Sequence, residues 1–424
     1  MASSNDKAKK AFNIFDKVQT KNLIDNIRNK PTSILEKKTF PTEEMASSQG
    51  QQKRIETIGR ETGKDFPILA GQKHFDNPKL LEGNIENYIG MTQIPTGVIG
   101  PLNVLGSVAN GDFYVPLATS EGALVASYHR GAKASRLCGG ITSACLVEGV
   151  QRSPVFKFNH LGDLGVFLTW ILQQLDEFKT ITERHSRYAK LIDMKLNIEG
   201  NHLTLTFEFH TGDAAGQNMV TLCTDGICKY IIEHAPIKPL FWFIEGNCSG
   251  DKKATSLSFV NVRGKKVTAE VALSKEVVSG VLKTTPQAMA EYWLTSTVGV
   301  IQSGAIGAQG HFANGLAALF LATGQDVACI SEASVGITRM EMTSDGGLYA
   351  CVTLPNLIVG TVGGGTCLPT QRECLEMIDC FGEGKSRKFA EICGALVLAG
   401  ELSIAAALSA GHFSSAHQKF GRKK

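Results

Sequence analysis

Apolar and polar positions recur with different periods along this chain, and the changes of period mark its parts. Residues 1–86 are the most polar stretch, with weak helical patterns at 11–28 and 51–62. They predict a small helical N-terminal domain with a partly disordered start. From 87 to 122, glycine and proline punctuate short β-like runs. Residues 153–245 are cleaner. A short strand at 155–158 precedes a helical pattern over 164–178, and strands follow at 191–198 and 203–209. The second of these alternates Leu203, Leu205, Phe207 and Phe209, and Glu199-Gly200-Asn201 before it is hairpin chemistry. A helix over 214–234 and a strand over 239–244 complete a β-α-β-β-α-β order, a ferredoxin-like unit compact enough to be an inserted domain. Beyond it the pattern predicts strands at 256–262 and 267–273, then helices at 274–282, 286–302 and 304–323. A strand pair at 336–343 and 348–354 and helices at 371–380 and 385–410 close the chain. The expected fold class is α+β: residues 87–152 and 246–424 form a large domain, and 153–245 are inserted in it.

Composition narrows the function classes. The 424 residues, 43% apolar and 20% charged, suit a globular protein with a sizeable core. A net charge of +3 gives no reason to expect nucleic acid as partner. Eleven cysteines, odd in number and without a Cys-x-x-Cys pair, favour a reduced, cytoplasmic protein and argue against a metal site. The most apolar tracts, 299–324 and 392–411, are broken by Gln302, Gln309, His311 and Glu401. They read as buried helices and not as membrane spans.

No phosphate-binding Gly-x-x-x-x-Gly-Lys or Gly-x-Gly-x-x-Gly pattern is present. Instead, small residues surround a few polar side chains: Ala118-Thr-Ser-Glu121-Gly, Gly212-Asp213-Ala-Ala-Gly-Gln-Asn218, Gly250-Asp251-Lys252-Lys253, Gly324-Gln-Asp326 and Gly360-Thr-Val-Gly363-Gly364-Gly365-Thr. Two histidines follow in Gly411-His412-Phe-Ser-Ser-Ala-His417. Singly, each has a bland explanation. Glu121 suits a helix N-terminus, Asp326 a cap, Lys252 a solvated strand edge, and His417 a helix C-terminus. Together they form a kit for chemistry that builds negative charge on oxygen and then moves protons. A lysine can hold an oxyanion, one of two carboxylates can keep a proton, and a histidine can protonate a leaving thiolate.

These clusters, with Asn87-Tyr-Ile-Gly-Met-Thr-Gln-Ile-Pro-Thr-Gly-Val-Ile-Gly-Pro-Leu102, resemble the signatures of the hydroxymethylglutaryl-CoA reductase family. They occur in family order across residues 87–422, about four fifths of the chain. The resemblance is to class I members, without the membrane anchor of animal and fungal enzymes. It implies NADPH-dependent reduction of hydroxymethylglutaryl-CoA to mevalonate. It also implies a ferredoxin-like dinucleotide-binding insertion and a homodimer with shared active sites, or a tetramer of paired dimers. By position, the resemblance makes Lys252 the oxyanion holder and Glu121 the proton donor. Asp326 would couple these two, and His417 would protonate the departing CoA thiolate. Arg152, Asp251 and Lys253 match acyl contacts, Asn314 matches a substrate-pocket asparagine beside the catalytic lysine, and Ser127, Arg130, Lys283 and His311 match CoA contacts. Asp213 and Asn218 match the dinucleotide motif, with Gly363, Gly364 and Gly365 opposite. Ser186 and Arg187 match the pair that holds the 2′-phosphate, and a further basic contact could come from Arg422 in the tail.

Two positions depart from the family. Glu245 stands where the family has a serine that helps hold the acyl carboxylate, and Ser296 where it has a lysine. The segment after Asp326 also lacks the usual Gln-Asn. An added anion and a lost cation weaken carboxylate binding. The same chemistry on a related acyl-CoA, or a non-catalytic CoA-binding homologue, are the rival readings.

Overall fold

The computed structural model describes residues 17–29, 38, 40–43 and 47–411. Two helices, α1 (Lys17–Arg28) and α2 (Ser48–Thr62), come first. Ser47 caps α2 by accepting from the Gly50 N–H, and Gly63 closes it at φ 67°. A hairpin of β1 (Thr96–Gly106) and β2 (Asn110–Ala118) follows, then α3 (Leu124–Leu137) and β3 (Ile141–Arg152), which runs parallel to β1.

The next part holds β4 (Val155–Lys157), α4 (Leu161–Ile171), α5 (Leu175–His185), β5 (Lys190–Glu199), β6 (His202–His210), α6 (Gln217–His234) and β7 (Phe241–Phe243). Its strands lie in the order β7-β4-β6-β5, all antiparallel, as a ferredoxin-like unit requires. The inward residues of β6 pack with Phe156, Phe158, Phe167 and Phe178 in an aromatic-rich core of their own. The chain then returns through β8 (Gly264–Leu273), α7 (Pro286–Ser303), α8 (Phe312–Thr323), β9 (Ile337–Met342), β10 (Leu348–Leu357), α9 (Pro369–Met377) and α10 (Ser386–Ser409).

β3 joins the two sheets. Its first part pairs with β1 and β8, and its last three residues, Val150 to Arg152, pair with Phe207–Phe209 of β6. Arg152 is thereby fixed at the seam. α10 is the central helix of the larger core. Among the described residues it alone is long and apolar enough to cross a membrane, but 83% of that window is buried inside the protein. Small residues let it approach α3 closely: a Cβ on Gly131 would lie 1.8 Å from the Ala399 carbonyl oxygen. Its two buried acids are satisfied internally. Glu391 accepts from the N–H groups of Ser107, Val108 and Ala109, and Glu401 from those of Gly310 and His311.

Three expected elements differ. The helix over 164–178 is two helices, α4 and α5, separated at 172–174. The strand over 256–262 is a single 3₁₀ turn, Ser256–Phe259. The helix over 304–323 begins only at Phe312, because Gly304 ends α7 at φ 72° and the following loop is tied to Glu401.

Candidate active site

The seam where β3 ends gathers charge. Arg152 Nη1 lies 3.0 Å from Asp251 Oδ2 and 3.3 Å from Glu245 Oε2. Asp251 Oδ1 is 2.8 Å from Arg263 Nη2, and Arg263 Nη1 is 2.6 Å from Glu332 Oε1. The same Arg263 donates to the Gln217 side chain at the start of α6. Burial raises the Glu332 carboxyl above its usual range, against the pull of Arg263. Asp251, held by both arginines, directly precedes Lys252, so this network fixes the turn that carries the lysine. Lys252 itself has φ 54°, a left-handed conformation that costs a non-glycine residue about 1 kcal/mol or more.

From that turn the Lys252 ammonium reaches Asp326, Nζ to Oδ2 3.1 Å. The hydrogen bond to Asp326 raises the lysine's pKa. Asp326 follows α8 and caps a short turn with Oδ1, which accepts from the Ala328 N–H at 3.0 Å. Glu121 lies elsewhere. It sits three residues before α3, not within it, and Ala123 between them has φ 70°. Both Glu121 oxygens accept from Asn314 Nδ2, at 3.1 and 2.9 Å. Asn314 is in the first turn of α8, whereas Asp326 lies past its other end. At about 1.5 Å per residue, α8 separates the two pairs by roughly 15 Å. One chain therefore holds two half-sets, Lys252 with Asp326 and Glu121 with Asn314.

A glycine loop adjoins the first half-set. Gly360 N–H donates to Gln325 Oε1 at 2.8 Å, and a Cβ on Gly324 would lie 2.1 Å from the Gly365 carbonyl oxygen. Only glycine permits that approach. Thr361 N–H donates to the Asp213 carbonyl, joining the loop to the turn between β6 and α6. The Asp213 carboxylate accepts from the N–H groups of Gly384 and Ser386 at the start of α10. Burial works to raise its pKa, but these bonds outweigh it and hold the carboxyl low. Asn218 is exposed in the first turn of α6. Ser186 and exposed Arg187 precede β5, whose Lys190 pairs with His210 of β6, so they lie at the sheet end that also carries Asp213. Gly363 and Gly364 have φ 73° and 54°, with open space where a side chain would stand.

Known proteins place this arrangement. The family model of hydroxymethylglutaryl-coenzyme A reductase matches residues 50–422. The chain belongs to that family. The 3-hydroxy-3-methylglutaryl-coenzyme A reductase of Methanocaldococcus jannaschii is 44% identical over 374 residues, covering 87% of this chain and 92% of its own. That of Pyrococcus abyssi is 44% identical over 382 residues, with 87% and 93% covered. The solved class II reductase of Streptococcus pneumoniae, bound to NADPH, shares the fold at TM-score 0.67 and 17% identity, covering 84% of this chain and 96% of its own.

In this family member, several residues expected to touch CoA are engaged internally. Ser127 Oγ and Arg130 Nε both bond the Ser403 hydroxyl, and Arg130 Nη2 donates to the Ser403 carbonyl. His311 stacks on Tyr128 at 5.1 Å and its Nδ1 is 3.2 Å from buried Glu401. Lys283 is exposed at φ 63°, and Lys253 Nζ donates to the Asp251 carbonyl at 2.8 Å. Ser296, on α7, lines a pocket with Tyr292 and Glu401. His417 and Arg422 lie outside the described residues. Sequence reasoning missed Arg263, Gln217 and Glu332. Arg263 precedes Gly264-Lys265-Lys266 and looks like one more surface cation, and Glu332 has no local signal of burial.

Proposed function

We infer that this chain reduces 3-hydroxy-3-methylglutaryl-CoA to mevalonate and free CoA in two successive hydride transfers. Family membership over most of the chain supports the activity. The observation that carries the chemistry is the Lys252–Asp326 pair beside the glycine loop of 360–365. When bound, NADPH supplies both hydrides. Gly363, Gly364 and Gly365, whose backbone no side chain covers, suit its pyrophosphate, with Asp213 and Asn218 across the loop. Ser186 and Arg187 suit the 2′-phosphate, with Arg422 as a further cation.

Lys252 holds the oxyanion that forms on the thioester carbonyl, and its raised pKa keeps it an ammonium while it does so. Asp326 sets the position of that ammonium. Collapse of the first adduct expels CoA thiolate, which His417 protonates. Glu121, oriented by Asn314, gives a proton to the oxygen at the aldehyde stage. Arg152, Asp251 and Lys253 bind the acyl group, and Ser127, Arg130, Lys283 and His311 border the CoA.

The separation of the two half-sets supports a homodimer in which Lys252 of one subunit faces Glu121 of the other. Size measurement decides whether dimers pair into tetramers. Eleven free cysteines support a cytoplasmic location. The activity is tested by following NADPH oxidation and thiol release with hydroxymethylglutaryl-CoA. Two NADPH consumed per CoA released is expected. No consumption, or one per CoA, overturns the reading.

A further inference from the structure

We propose that Glu245 is a built-in competitor for the acyl carboxylate and so sets the acyl selectivity of this site. The inference rests on the reading above. Glu245 follows β7, where the chain leaves the insertion. Its Oε2 lies 3.3 Å from Arg152 Nη1 and also accepts from the Ser153 N–H and the Ser249 hydroxyl. The guanidinium that would meet an acyl carboxylate thus already carries one from the protein. It also carries Asp251, so a single Nη1 serves two acids.

Both guanidiniums at the seam are already paired: Arg152 with Glu245 and Asp251, and Arg263 with Asp251 and Glu332. A carboxylate on the substrate would have to compete with Glu245 for Arg152 Nη1. The Glu245 contact is incompletely closed. Its Oε1 is buried without a hydrogen-bond partner among the described residues, as are Arg152 Nε and Gln217 Nε2. A buried carboxylate oxygen left unpaired costs stability, so exchange of Glu245 for another oxygen ligand is open to the site. Hydroxymethylglutaryl-CoA therefore binds against internal competition, which an acyl-CoA with an uncharged end escapes.

The test compares wild type, Glu245→Ser and Glu245→Gln with two substrates, hydroxymethylglutaryl-CoA and 3-hydroxybutyryl-CoA, which lacks the terminal carboxylate. In both variants KM for hydroxymethylglutaryl-CoA should fall about tenfold, with kcat changed less, while KM for 3-hydroxybutyryl-CoA stays or rises. Free hydroxymethylglutarate should inhibit the variants at about tenfold lower concentration than wild type. The glutamine variant keeps the volume and removes only the charge, so it separates competition from packing. If wild type oxidises NADPH but neither variant changes the ratio of kcat/KM for the two substrates, Glu245 is structural and the inference falls alone. If wild type oxidises NADPH with neither substrate, the reductase reading falls and takes this inference with it.

Discussion

Lys252, the residue proposed to hold the oxyanion, stands on strained backbone. Of six non-glycine residues with positive φ among those described, Ala123, Asn247, Lys252 and Lys283 belong to segments of the candidate site. Such conformations persist only where surrounding contacts hold them, as the ion pairs of Asp251 with Arg152 and Arg263 hold the turn at Lys252. In the proposed role the Lys252 ammonium is a preorganised charge for the oxyanion, so Lys252→Ala should lower kcat about a hundred- to thousandfold. Lys253→Ala should mainly raise KM for the acyl-CoA, because Lys253 turns back onto Asp251. Steady-state kinetics on variants that still bind NADPH separate the two. Loss of turnover in Lys253→Ala alone would mean that the roles are exchanged. The acids and the lysine stood out as candidates in the sequence because small residues surround each and the clusters recur together, although each alone has an ordinary explanation. Arg263 and Glu332 were not, because a buried ion pair forms only through folding and neither partner reveals the other in the chain.

Elements were legible where the apolar period matched a buried face, and misled where a period lacked one. Leu164, Phe167, Ile171, Phe178 and Ile181 keep one helical phase across the break between α4 and α5, since both helices bury the same side. The break at 172–174 leaves that phase untouched and so could not be read. The alternation of 256–260 mimics a strand, but Leu257 and Val260 are exposed and no strand pairs with them. The contact between Gly324 and Gly365 is a tertiary feature that tests the link between α8 and the glycine loop. Gly324→Ala meets backbone at φ 69°, so it should destabilise the fold by about 1–3 kcal/mol and weaken NADPH binding. Denaturant unfolding and NADPH titration check this, and an unchanged affinity would detach the loop from the cofactor.

β3 gives an acid-dependent prediction of its own. Burial works to raise the Glu148 pKa, but His210, Lys265 and Arg387 outweigh it and lower the value to about 2. A folded-state pKa below the unfolded one means stability that is present above the unfolded value of 4.5 and lost as pH falls towards about 2. The shift corresponds to about 3 kcal/mol at neutral pH. Glu148→Gln should therefore unfold at lower denaturant at pH 7, with the difference from wild type shrinking as pH falls through that window. A constant difference at all pH values would mean that the carboxylate's charge does not matter there.

At the scale of the molecule, the fold does two things for the site. β3 ties the ferredoxin-like sheet to the larger sheet and fixes Arg152 where they meet, while α8 keeps Lys252–Asp326 and Glu121–Asn314 at opposite ends. The ferredoxin-like order and the buried helix α10 could be read from periodicity alone. The division of the site could not, because it depends on which end of α8 each loop reaches. Two copies that exchange half-sets would reunite lysine and glutamate, and subunit mixing tests this directly. Lys252→Ala and Glu121→Gln proteins, each inactive alone, are unfolded together, refolded and assayed for NADPH oxidation with hydroxymethylglutaryl-CoA. In a dimer with shared sites, random pairing makes half of the dimers mixed, and each mixed dimer carries one intact site and one doubly altered site. The expected result is recovery of about a quarter of the wild-type rate. A mixture that refolds to the same size and stays as inactive as its components would contradict the shared site.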